Sequence, residues 1–170
     1  MPLLRLEAAP PLNDHIVLVP MDGWGMADRK EMLRTQGVAD CLVMLMHCPS
    51  LRKGALAHMS WPHNAVHPGT TQDSLAIVRN TDRVRGTMVK HLKCMPSEIE
   101  VYLWRGYGFG PTASLPGHAG NIIDNLSWSN FALTIDMMSH GDFGRPGDTT
   151  PFAGCSAVSY VPDDNTAWFQ

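Results

Sequence analysis

The chain has 170 residues, 44% of them hydrophobic, which is enough to bury the core of one compact domain without help from disulfides or metal. A formal net charge of -3 with 17% charged residues gives no basic field for nucleic acid and no polybasic patch for a membrane surface, so a protein or small molecule is the expected partner. Residues 1–14 carry only a brief apolar patch, interrupted by Arg5 and Glu7, and are expected to form a loose arm, neither a secretory signal nor a membrane-inserting span.

In chain order, the β-branched run His15 to Pro20 predicts a first strand. Asp22-Gly-Trp-Gly marks a turn, and Met21 to Glu31 is read as a helical turn, weakened by its two glycines. The segment Thr35 to Pro62 carries the chemistry. Cys41 opens the apolar run Leu42 to Met46, a turn follows at Pro49 with Arg52, Lys53 and Gly54, and a second apolar stretch ends in His58. That pattern predicts a hairpin, with Cys41 at the start of one strand and His58 near the end of its antiparallel partner, at the same end of the pair. Thr35, six positions before Cys41, can loop back to that end. A thiol at neutral pH is mostly protonated, so a nucleophilic cysteine needs an imidazole to take its proton, and the imidazole needs a third group to fix its tautomer. A Cys-His-Thr triad meets those needs for acyl transfer at an amide. The bland alternative is a strand cysteine packed in the core.

The following stretch, SWPHNAVHPGTTQDS, predicts a loop, and His58, His63 and His67 offer a competing metal-dependent hydrolase. Pro62 and Pro68 argue against a helix presenting His63 and His67 together, and solvated loop histidines are the plainer account. From Thr71 to Met95 apolar residues recur at helical spacing behind a capping-box pattern at Thr70 and Asp73, with Arg79, Arg83, Arg85, Lys90 and Lys93 on a basic outer face. Ile99 to Trp104 predicts a strand, leading to the glycine-rich Arg105-Gly-Tyr-Gly-Phe-Gly-Pro111. Asn121 to His140 predicts a second long helix, closed by Gly141. A long loop and a closing hairpin about Pro162-Asp-Asp-Asn complete the chain. Cys41, Cys48, Cys94 and Cys155 lack metal-type spacing and are expected to stay reduced, as in a cytosolic thiol enzyme, although delivery by a secretion machine is compatible with the same sequence.

Thr35-x5-Cys41-x16-His58, with Gly37 between, a turn at Pro49, then Gly54-Ala-Leu-Ala-His58 and Pro62, resembles the bacterial chemoreceptor glutamine deamidase family, CheD. Two positions depart from that family's pattern: Ala39-Asp40 replaces Gly-Ser before the cysteine, and Cys48-Pro49 replaces the Asp-Pro turn. The first falls where backbone would shape an oxyanion site. The resemblance implies one α/β domain over 1–170, in which a mixed or mainly antiparallel sheet is flanked by two long helices. It also implies a cytoplasmic protein-glutamine deamidase with Cys41 as nucleophile, His58 as base and acid, Thr35 as orienting group, and no metal or organic cofactor. Two other accounts stand beside it: a secreted effector acting on regulatory proteins in a host cytosol, as in related Cys-His toxin deamidases, and a non-enzymatic protein-binding module.

Overall fold

A computed structural model of the protein describes residues 3–5, 9, 15–38, 41–60, 71–105, 126–136 and 157–170. Ten strands and one long helix lie within them: β1 (Leu3–Arg5), β2 (Ile16–Leu18), β3 (Gly23–Asp28), β4 (Met32–Gln36), β5 (Cys41–Cys48), β6 (Lys53–Ser60), α1 (Thr71–Leu92), β7 (Glu100–Arg105), β8 (Leu133–Asp136), β9 (Ala157–Val161) and β10 (Thr166–Phe169). They form an α/β structure with two mixed sheets. One has the order β1-β10-β9-β4-β2 and the other β3-β6-β5-β7-β8. In each the interior pairings are antiparallel, and the parallel pairings β1·β10, β4·β2 and β7·β8 sit at edges.

Alternation along β5 explains how the second sheet is buried. Cys41, Val43 and Leu45 point to one face and pack with Leu33, Val158, Tyr160, Ala167 and Phe169 of the first sheet. Leu42, Met44 and Met46 point to the other face and pack with Met88 and Leu92 of α1. A strand covered on both faces has no polar side to show, which is why Cys41 to Met46 contains no polar residue. Full burial of side chains such as Leu92 contributes about 1.5–3 kcal/mol each.

The hairpin expected between Cys41 and His58 is present as β5 and β6, joined by a 3-10 turn at Pro49–Leu51 with Arg52 in a left-handed conformation at φ 51°. The strand before Pro20, the helix from Thr71, the strand after Ile99 and the closing hairpin are present as well. Gly23–Asp28 is a strand, not a helical turn. Of the stretch expected to be a loose arm, Leu3–Arg5 pair with β10.

Two further expectations are corrected. Among the described residues α1 is the one long helix: within the span expected to hold a second, residues 126–132 are irregular and Leu133–Asp136 form a strand beside β7. Trp128 and Phe131 stand three apart, as on a helix face. Here they converge instead on one cation, with the Arg85 guanidinium 4.8 Å and 5.8 Å from their ring centroids and donating to the Ser127 carbonyl at 2.8 Å. Arg85 is thereby removed from the solvated basic face predicted for α1. The second correction concerns the thiols. Cys48, at the end of β5, and Cys94, just past α1, are joined in a buried disulfide that ties the helix to the second sheet.

Candidate active site

The candidate triad lies at the end of the second sheet where β5 begins and β6 ends. Register places Cys41 opposite Ser60 and Val43 opposite His58. Directly opposed residues share a face and so do residues two apart, so Cys41, His58 and Ser60 all look toward the first sheet. Cys41 and His58 are diagonal neighbours, a relationship with a typical spacing of about 7–8 Å between backbones. Cys41 is buried and stands outside the disulfide.

Across the gap between sheets, β4 supplies Thr35. Its Oγ1 lies 2.7 Å from Nδ1 of His58 and 2.9 Å from the carbonyl oxygen of Val19. A carbonyl can only accept, so the hydroxyl proton goes to Val19 and the hydroxyl oxygen accepts from the ring. Nδ1 therefore carries the hydrogen, and Nε2 is the basic nitrogen. Val19 is itself held, its N–H donating to the Arg34 carbonyl at 2.8 Å. Thr35 and His58 are both completely buried, and among the described residues Nε2 has no hydrogen-bond partner. Burial holds the His58 pKa below the ordinary imidazole value, and the charge of Asp22 works the other way. The ring is thus neutral at neutral pH, with one nitrogen occupied and one available.

Asp22 is a residue that the motif does not include. It occupies the turn between β2 and β3 with φ 59°, where the Gly23 N–H donates to the Pro20 carbonyl at 3.0 Å. Its Oδ1 accepts from both the backbone N–H of Ser60 at 2.9 Å and the Ser60 hydroxyl at 2.6 Å. The available signal was local: Asp-Gly in a turn, which marks backbone geometry but not the strand end that the carboxylate will reach.

A second buried polar group occupies the same inter-sheet face at the other end of β5. The hydroxyl of Tyr160 is hydrogen-bonded to Nδ1 of His47, and the hydroxyl of Tyr102 donates to Glu100 at 2.8 Å. Gly54, opposite His47, makes room for this arrangement, because a Cβ there would stand 2.4 Å from Cε1 of Tyr160. Burial is the main cause that lowers the His47 pKa to about 4, and the Glu100 charge opposes it.

Thr35 and His58 are therefore in direct contact, with Cys41 beside them on the same face. His63, His67, Cys155, the Ala39-Asp40 pair and the glycine-rich 106–111 lie outside the described residues. Among the described residues no three His, Cys, Asp or Glu side chains gather in a way that could hold a metal ion, and no helix is long and apolar enough to cross a membrane.

No protein-family model matches the chain, and no curated protein matches it. Among solved structures, the chain is similar to the Bacillus licheniformis hypothetical protein YfiH at 20% identity and a TM-score of 0.27, over 47% of this chain and 26% of that one. The chain thus spans about a quarter of that protein's length.

Proposed function

We propose that the protein is a cysteine-dependent deamidase that hydrolyses a side-chain amide of a partner protein, most simply a glutamine, within a CheD-like layered domain. One observation carries this reading: the Thr35–His58 hydrogen bond of 2.7 Å, with the threonine proton committed to Val19, leaves Nε2 basic on the sheet face that also bears Cys41. A core histidine needed only for packing would have both ring nitrogens satisfied. The thiol and Nε2 are not hydrogen-bonded in this structure, and the proposed reaction requires the two to approach.

In the proposed reaction Nε2 takes the thiol proton and the sulfur attacks the carboxamide carbon, forming a C–S bond. The imidazolium returns the proton to the amide nitrogen, the C–N bond breaks, and ammonia leaves a thioester. Nε2 then deprotonates a water that attacks the thioester carbonyl. The C–S bond breaks, the thiolate recovers the proton from the imidazolium, and the product carboxylic acid loses its own proton to solvent. Mass spectrometry of candidate partner proteins after incubation tests the reading through the mass gain of amide-to-acid conversion. Full activity of Cys41→Ala would sink it.

The disulfide Cys48–Cys94 favours a second reading of where the same chemistry occurs. Disulfides persist in oxidising compartments and are uncommon in the cytosol, so an effector that passes through such a compartment before meeting its target fits better than a resident cytoplasmic enzyme. Thiol labelling of the protein taken directly from its cells, before and after reduction, tests this. Two additional thiols visible without reductant would return the protein to the cytosol.

A further inference from the structure

We propose that Asp22 is the positioning residue that stabilises the charged form of His58, and that Ser60 is the anchor that holds its carboxylate at the mouth of the site. This rests on the deamidase reading for its purpose but not for its test.

Three features converge on it. The carboxylate is fixed, with Oδ1 accepting two hydrogen bonds from one residue, Ser60, the residue facing Cys41 across the ladder. Its backbone is fixed too: Gly23, the next residue, pairs directly with His58, and Asp22 adopts φ 59°, a left-handed conformation that aspartate and asparagine tolerate better than most residues. The charge is on the correct side of the reaction. When the thiol proton moves from Cys41 Sγ to Nε2, the S–H bond breaks, an N–H bond forms, and a buried imidazolium appears. Thr35, facing the ring from β4, is neutral, so it orients the imidazolium without compensating its charge. Among the described residues set around His58 by β4, β5 and the β2–β3 turn, Asp22 supplies negative charge, and it opposes the burial that keeps the ring neutral.

The test is Asp22→Asn, which keeps an oxygen for Ser60 and the left-handed turn and removes the charge. Two readouts need no substrate: the NMR titration of His58, and the rate of Cys41 alkylation by iodoacetamide as a function of pH and salt. The expected result is a lower His58 pKa and Cys41 alkylation slowed about two- to fivefold at neutral pH, the range for one carboxylate acting through partly aqueous surroundings. The difference from the unsubstituted protein should shrink as salt screens the charge. An unchanged His58 titration overturns the proposal. So does slowing that is equal at every pH and salt concentration, which would make Asp22 a structural clamp alone. Failure to find amide hydrolysis would leave both readouts intact and count only against the deamidase reading.

Discussion

The hydroxyl of Thr35 receives the Nδ1 hydrogen of His58 and passes its own to the carbonyl of Val19, so a strand of one sheet fixes the tautomer of a histidine on the other. Thr35→Val keeps the shape but leaves a buried N–H without an acceptor, at a cost of about 1–3 kcal/mol. Thr35→Ser restores the oxygen. Deamidation by the valine variant should fall on the order of tenfold to a hundredfold, less than the roughly 10²–10⁴-fold that a general base contributes, because the imidazole remains. The serine variant should stay within a few-fold of the parent. Chemical denaturation alongside the rate assay separates loss of fold from loss of orientation, and equal rates in all three would remove Thr35 from the mechanism.

Cys41→Ala and His58→Ala should each abolish nearly all activity. With Cys48 and Cys94 joined, Cys41 is expected to be labelled in preference to Cys155 at neutral pH, and His58→Ala should slow that labelling. Peptide mapping after a short pulse of iodoacetamide gives both rates. A Cys41 no faster than an ordinary thiol in the folded protein would favour the packing role or a binding module over an enzyme.

The hairpin that carries Cys41 and His58 is legible in the sequence because its signals are local. A cysteine opening the apolar run Leu42 to Met46, a proline turn and a histidine near the end of the return strand lie within one hairpin, and pairing register follows from the turn. What escaped was long-range. Asp22 meets Ser60 across 38 residues, and Tyr160 meets His47 across 113, contacts that no window along the chain contains. The second helix was misassigned for a different reason. Leu126, Trp128 and Phe131 are apolar because they join the core cluster that holds Met88 and Leu92 of α1, and two rings that converge on a cation can share the spacing of a helix face.

The disulfide closes a long loop, its cysteines 46 positions apart, so removing it frees the unfolded chain considerably. Cys48→Ala with Cys94→Ala should lower stability by about 2–4 kcal/mol. Both sulfurs lie on the α1 side of the second sheet, away from the face that carries Cys41 and His58. The double variant should therefore keep its deamidation rate at temperatures where it remains folded. A reduced rate in the folded variant, with the circular dichroism unchanged, would show that the far end of β5 is coupled to the triad.

Acid should destabilise the protein through His47. Its ring is buried between Gly54 of β6, Glu100 of β7 and Tyr160 of β9, and its pKa falls from 6.5 to about 4 on folding. Between those values the unfolded chain binds the proton and the native state does not, so this contribution is complete above pH 6.5 and is lost progressively as pH falls toward 4. The full difference corresponds to about 3 kcal/mol. In His47→Asn, the side-chain amide can donate to or accept from the Tyr160 hydroxyl but nothing titrates. Urea unfolding at intervals from pH 7 to pH 4 should give a steep loss of stability in the parent and a shallower one in the variant. His58, whose pKa burial also lowers, adds a slope of the same sign to both proteins and cancels in the comparison. Parallel curves would mean that the Tyr160–His47 contact tolerates the charged ring, and the acid sensitivity would then belong to His58 and the site itself.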